Sequence, residues 1–477
     1  MATKEFPLVP QQVPPVKTAY RTICTALPVP QSIDALKRLR EIEPRSMGGQ
    51  PPIIWHHGHD ACICDAYGNQ WIDFSSGVLV TASGHSNPVI VKAIREMADQ
   101  GMYHSYGFPT DIRIKLVETL TRLLPAPLKR VFLLTTGSEA TECCIKLART
   151  QGLKVGGRKK SVIVTFDSGF HGRTMGSQWA GGSPALKEWL GEPDRRFAQV
   201  PFPDGFRQPD VSFKVFEETL KAKGIDPSDV CGVMAETFQG CNATLMPAAY
   251  AQALRAWCTK HGALMIFDEI QAGFGRTGKL FGFQNLGVVP DLVACGKGIS
   301  GGMPLSAVLG REDLMSLYGP GEMTSTHSAN PICAAAAMAN LQVILADKLV
   351  ENAAALNPVL AEGCRRIAKA TGGLVGRVDS VGLVAALQFT EPGTTTPLPD
   401  KAWEMVNKAV QRGVMLFAPV GIGGCAVKVC PPLVIKEDAL REGLAVLEGV
   451  AAEIAPAKGS AARKSKAAPK AKSKAKA

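Results

Sequence analysis

Leu264-Met265-Ile266-Phe267-Asp268-Glu269-Ile270-Gln271 decides how this chain is read. Four apolar residues run straight into two carboxylates. A run so short and so apolar suits a strand buried on both faces, and the acid then stands at its C-terminal end, where open α/β sheets place their ligands. A strand-end aspartate can equally cap the turn that follows it. The neighbouring sequence has to choose between the two.

Outward from this stretch, further short apolar runs lie at 131–134, 162–166, 232–235, 292–294 and 305–309, with helical patterns between several of them, as at 139–149 and 248–261. Short apolar strands alternating with helices predict an α/β fold with a mainly parallel sheet covered on both faces. Residues 346–456 combine long helices with a strand candidate at 383–389, which predicts a smaller α+β domain. Ahead of the sheet, residues 1–30 are proline-rich and read as an extended arm, and 32–43 as a short amphipathic helix with Ile33, Leu36, Leu39 and Ile42 near one face. Residues 51–74 read as short strands with a turn at Tyr67-Gly68-Asn69. A helix starts after Asn87, with Pro88 as its first residue. The expected division is an arm and helix at 1–50, part of the small domain at 51–105, the large domain at 106–345, the rest of the small domain at 346–456, and a disordered basic tail at 457–477.

The formal net charge of +11 is unevenly placed. Eight lysines and arginines lie between Lys458 and Ala477 with no acid among them, which leaves +3 for the rest. The body therefore carries no nucleic-acid footprint. The Ala/Lys/Pro/Ser tail cannot bury a core and reads as a solubilising end rather than a partner site. Thirteen cysteines in a chain this long suggest buried reduced thiols, because Cys62, Cys64, Cys143 and Cys144 have no metal-type partners at suitable spacing. No metal is expected. The N-terminus lacks a signal-type apolar core, and no apolar run reaches the roughly 18 residues that span a bilayer, so a cytoplasmic protein without membrane partners is expected.

Gly273-Phe-Gly275-Arg-Thr-Gly278 matches the dinucleotide fingerprint only formally. That motif needs its glycines directly at the strand-to-helix turn, and here Asp268 to Ala272 intervene. A phosphate-loop reading of the same stretch fails because Leu280 stands where Ser or Thr should hold magnesium.

Three other segments join Asp268. In Ala294-Cys-Gly296-Lys297-Gly298, a lysine follows an apolar strand between two glycines. A desolvated lysine has its ammonium form disfavoured and can serve as a nucleophile. Thr135-Thr136-Gly137-Ser138-Glu139-Ala140 opens a helix whose free N–H groups suit a phosphate, although Ser138 could simply cap it. Ser168-Gly169-Phe170-His171-Gly172-Arg173 holds an aromatic ring between glycines, which could also be core packing. Together they offer a phosphate cradle, a stacking surface, an anion and a lysine at strand ends, the four things pyridoxal phosphate requires.

These segments resemble the class III (ornithine and 4-aminobutyrate type) aminotransferases of fold type I. The resemblance runs from about Asp65 to Leu447 and rests on the strings at 135–149, 170–174, 268–278 and 296–299. It implies that Lys297 forms the Schiff base with pyridoxal 5'-phosphate and shuttles the catalytic proton, and that Asp268 keeps the pyridinium nitrogen protonated. Gln271 should contact the phenolic oxygen, Phe170 should stack on the ring, and Gly137 and Ser138 should bind the phosphate. Glu236 resembles the acid behind the cofactor, and Thr326 would reach the neighbouring subunit's phosphate, which implies a homodimer with shared sites.

The sequence departs from the family pattern at three places. Cys241 follows Gly240 where many 2-oxoglutarate-using members have a glutamate, and Lys428 stands where its arginine partner is usual. Lysine offers a carboxylate a point charge, whereas arginine offers a fork. Lys428 is the candidate substrate-carboxylate residue. Ser328-Ala329-Asn330 replaces a Gly-Gly-Asn loop. The expected reaction moves an amino group from an amino acid or other amine, terminal amines included, to a 2-oxo acid by a ping-pong cycle. A class III racemase, epimerase or aminomutase is the alternative, since it would share the same lysine, aspartate and cradle. A binding protein with an inactive site is a third reading.

Overall fold

The computed structural model describes residues 4–456, so the basic tail falls outside the described residues. Its centre is a seven-stranded sheet in the order Leu128–Leu134, Ser306–Arg311, Leu292–Cys295, Leu264–Asp268, Val230–Glu236, Val162–Phe166, Phe197–Val200. Ser306–Arg311 runs against both its neighbours, and the remaining pairings are parallel.

The apolar runs explain this architecture. Every residue of Val230–Glu236, Leu264–Asp268 and Leu292–Cys295 is buried. Successive side chains of a strand point to opposite faces. Met265 and Phe267 accordingly join a core with Leu254 and Cys258 of helix Ala248–His261. Leu264 and Ile266 join a second core with Cys144, Leu147 and Ala148 of helix Gly137–Gly156. Each such side chain contributes about 1.5–3 kcal/mol by leaving water, and Phe267→Ala would cost roughly 3–5 kcal/mol through the cavity it leaves.

Register then places the chemistry. Asp268 lies opposite Glu236 on one side and Ala294 on the other, so two carboxylates and the loop leading to Lys297 emerge together at the C-terminal edge. Five of the predicted runs fall within observed strands, and the run at 305–309 overlaps Ser306–Arg311. Phe197–Val200 was not anticipated. It is a four-residue edge strand whose alternate residues are only partly buried, which weakens its apolar signature.

The C-terminal region packs helices Leu349–Ala370, Pro399–Val410 and Glu437–Ile454 against an antiparallel sheet of Val375–Val381, Val384–Phe389 and Ala426–Val429. The N-terminal arm is less detached than its prolines suggest. Val16–Lys17 and Thr22–Ile23 form a small hairpin, and Phe6, Ile23, Leu27 and Val29 are buried in the main core. Val414–Met415 pairs in parallel with Gln70–Asp73, joining early and late chain in one sheet. Among the described residues, no single helix is long and apolar enough to cross a membrane.

Candidate active site

A cavity of about 300 Å³ opens at the C-terminal edge of the central sheet, and its wall includes Gly137, Ser138, Phe170, Glu236, Asp268, Gln271 and Lys297. All of them are predicted site residues. The structure therefore gathers segments that lie far apart in sequence.

One end of the cavity is a helix N-terminus. Thr136 and Glu139 form a reciprocal capping box, which satisfies the N–H of Glu139 and leaves Gly137 and Ser138 at the open first turn. Glycines let the adjoining walls come close. A Cβ on Gly172 would lie 2.3 Å from Ser138 Oγ, and one on Gly137 would lie 2.9 Å from Ile270 Cδ1. The backbone approaches closely where an anion would sit, and the first-turn N–H groups favour one.

Phe170 supplies a ring on the wall, and the Arg173 guanidinium lies over it at 5.5 Å from the ring centre. Asp268 is nearly fully buried. One carboxylate oxygen accepts the Ile270 N–H at 3.0 Å, and the other lies 2.8 Å from His171 Nδ1. Burial disfavours charge on His171, but the bond and charge of Asp268 prevail and its pKa is raised. Glu236 accepts N–H groups of Phe170 at 3.1 Å and Gly240 at 2.8 Å. Burial pushes its carboxyl up to about 7, with His171 pulling the other way.

Lys297 has φ 44°, a left-handed conformation rare outside glycine, and is framed by Gly296 and Gly298. Such strain persists where surrounding packing imposes it, and it gathers at functional sites. Burial lowers the Lys297 pKa, against the pull of Asp268 and Glu236, so its amine is nearer to neutral than a surface lysine.

Two predicted residues stand off the cavity wall. Thr326 is exposed on the segment before helix Pro331–Ala346, next to Ser325, whose hydroxyl reaches Glu139 at 2.9 Å. Lys428 is 2% exposed and donates to the Gly240 carbonyl at 2.8 Å and to Gln271 Oε1 at 3.0 Å. Sequence reasoning left the parts of His171 and Arg173 open, and both line the cavity. Glu269 was quoted but given no role. It is buried and accepts the N–H groups of Gly282 at 2.6 Å and Phe283 at 2.8 Å, and burial lifts its pKa to about 7. Its position directly after Asp268, where the buried strand ends, was the available signal.

These residues fit pyridoxal phosphate on the structure's own terms: a glycine-lined anion end, an aromatic wall, a buried carboxylate and a desolvated lysine on one cavity.

A family model described as aminotransferase class-III matches residues 45–450. A 2-aminoadipate transaminase of Pseudomonas putida is 34% identical over 84% of this chain and 96% of that protein. A 4-aminobutyrate aminotransferase of Mycobacterium leprae is 31% identical over 90% of this chain and 98% of that protein. An amine transaminase from an uncultivated Pseudomonas species, solved with pyridoxal phosphate bound, superposes with a TM-score of 0.78 at 26% identity, covering 84% of this chain and 95% of that one.

Proposed function

This chain belongs to the class-III aminotransferase family, and from that premise we propose how its own residues carry out the transfer. The protein is a pyridoxal-phosphate-dependent aminotransferase of fold type I. The observation that carries the assignment of roles is the meeting of Lys297 and Asp268, from neighbouring strand ends, on one cavity wall.

In this reading Gly137 and Ser138 hold the phosphate at the helix N-terminus, and Phe170 lies against the ring face. Asp268, with His171 behind it, holds a proton on the ring nitrogen, and Gln271 donates to the phenolic oxygen. When bound, the cofactor supplies an electrophilic carbon and a ring that withdraws electrons from the substrate's Cα. Lys297 anchors the group through its amine and then carries the proton to and from the reacting carbon, for which its lowered pKa suits it. Glu236 fixes the Phe170 and Gly240 backbone through both carboxylate oxygens.

The donor is an amine that also bears a carboxylate, and the acceptor is a 2-oxo acid. The relatives described above are named for 2-aminoadipate and 4-aminobutyrate. Among the described residues, the Arg173 guanidinium has no carboxylate partner and faces the cavity, which makes it the candidate for the substrate's acid group.

We further propose a homodimer with shared sites. Thr326 is exposed next to an apolar surface that includes Tyr103, Tyr106 and Phe108, with Tyr106 Oη 3.2 Å from Thr324 Oγ1. Thirteen free thiols, mostly buried, suit a reducing cytoplasm.

The test is spectral and chemical. The purified protein with pyridoxal phosphate should absorb in the visible, and Lys297→Ala should remove that band. Donor plus 2-oxo acid should then give a carbonyl product from the donor. Exchange of the donor's α-proton without any such product would return the racemase reading to the front.

A further inference from the structure

Among the described residues, Lys428 is a buried cation with no acid bonded to it. Burial lowers its pKa to about 8, against the nearby thiols Cys430 and Cys241 and the carboxyl of Glu236, with Lys297 adding repulsion. Burial raises both thiols, Cys241 to about 12 and Cys430 to about 11, so neither supplies a thiolate at neutral pH. Two neutral oxygens hold the ammonium instead, the Gly240 carbonyl and Gln271 Oε1, and the Phe238 ring lies 5.5 Å away. For Lys428 to grip a substrate, both bonds would have to break at a point behind the cavity wall.

The bond to Gln271 has a direction. An ammonium has three donors and no acceptor, so it binds the oxygen of a carboxamide and rejects the nitrogen. Gln271 lines the cavity, and among the described residues its Nε2 donates to no protein acceptor. Gly240 confines the same amide, since a Cβ there would lie 2.0 Å from Gln271 Nε2. We propose that Lys428 is a positioning residue, whose ammonium fixes the Gln271 carboxamide with its NH2 group available to a ligand oxygen in the cavity. The inference rests on the cofactor reading above, in which that ligand oxygen is the phenolic oxygen. It assigns Lys428 to the cofactor side of the site and leaves substrate carboxylates to other residues.

A donor on the phenolic oxygen favours its ionised form, so weakening that donor should move the pH midpoint of the visible band upward. The experiment titrates the visible band of the pyridoxal-phosphate-loaded enzyme in a double-mutant cycle of Lys428→Met and Gln271→Met. Lys428→Met should raise the midpoint by about one pH unit in the wild-type background and by less than about a third of that beside Gln271→Met. Lys428→Gln, neutral but still a donor to Oε1, should stay within about 0.3 unit of wild type, and it carries the test if the methionine variant does not fold. An equal shift in both backgrounds, no shift, or a full shift in Lys428→Gln overturns the proposal. A wild-type enzyme with no visible band overturns the cofactor reading with it. A band lost in Lys297→Ala yet indifferent to Lys428 overturns this inference alone.

Discussion

Asp268 and His171 meet at 2.8 Å between Oδ2 and Nδ1, both almost wholly out of solvent. The imidazole is held by its backbone too, since the His171 carbonyl accepts the Thr141 hydroxyl at 2.6 Å. A carboxylate buried without such a partner would cost several kcal/mol in desolvation. The pair therefore keeps an anion on the cavity wall while fixing where it points. His171→Phe preserves most of the volume and removes the bond. Cofactor-saturated turnover should fall roughly 10- to 100-fold, the size of one charge-assisted hydrogen bond. Unchanged turnover in stopped-flow half-reactions would show that Asp268 holds its place unaided.

The phosphate end tolerates no side chain at Gly172, which has φ 130° and would set a Cβ 2.3 Å from Ser138 Oγ. Gly172→Ala should displace the Ser138 hydroxyl and weaken pyridoxal phosphate binding by about tenfold, the loss of one good hydrogen bond to a charged group. Fluorescence titration of cofactor-free protein measures it. Wild-type affinity would mean that the phosphate sits elsewhere.

Glu269 couples the fold to pH. Its folded pKa of about 7 is raised above the ordinary value of 4.5, chiefly by burial. A raised acid stabilises the folded state fully below its unfolded pKa, and this contribution is lost as pH rises through the folded value. Glu236 is raised over the same range and slopes in the same direction, and the raised His171 adds its own decline only above about pH 6.5. Cofactor-free protein should therefore melt at progressively lower temperature from about pH 4.5 to 7 as far as these groups decide it. Glu269→Gln should flatten that decline in scanning calorimetry. A variant curve parallel to wild type would mean that Glu269 titrates as it does when unfolded.

The proposed homodimer predicts that the apolar surface next to Thr326 is buried between subunits. Phe108 is 75% exposed in the single chain, and Tyr103 60%. A charge placed there meets the cost of burying an unpaired ion. Phe108→Glu should sediment as a monomer and lose transaminase activity along with the partner's contribution to each site. A variant that stays dimeric and active would remove this face from consideration.

Much of this architecture could be read from the chain because several of its strands are buried on both faces. Residues 264–267 had no polar position to confuse with a solvent-facing strand, and Asp268 stood out against them. Phe197–Val200 lacked that contrast, since Gln199 sits on an edge strand where polarity costs little. Within the site, Lys297, Asp268 and Gly137 could be placed because strand ends and helix starts fix their positions locally. Lys428 could not. Sequence shows a lysine where the family's arginine is usual and points it at a substrate carboxylate, whereas its surroundings are Gln271 and Gly240, brought to it by folding across 157 and 188 residues. The part played by His171 depends likewise on a turn that swings the ring behind Asp268, which no periodicity encodes.

The parallel pairing of Val414–Met415 with Gln70–Asp73 has a bearing on how the molecule is made. Trp71 Nε1 donates to the Val410 carbonyl at 2.8 Å, a partner 339 residues further along. A ribosome adding about 5–20 residues per second leaves that indole without its acceptor, and one edge of its strand unpaired, for tens of seconds. During that interval the first segment of the chain is an unfinished sheet with an open edge, the kind of surface on which aggregation starts. The small sheet is thus closed by a stitch from a segment made long after the strands it joins.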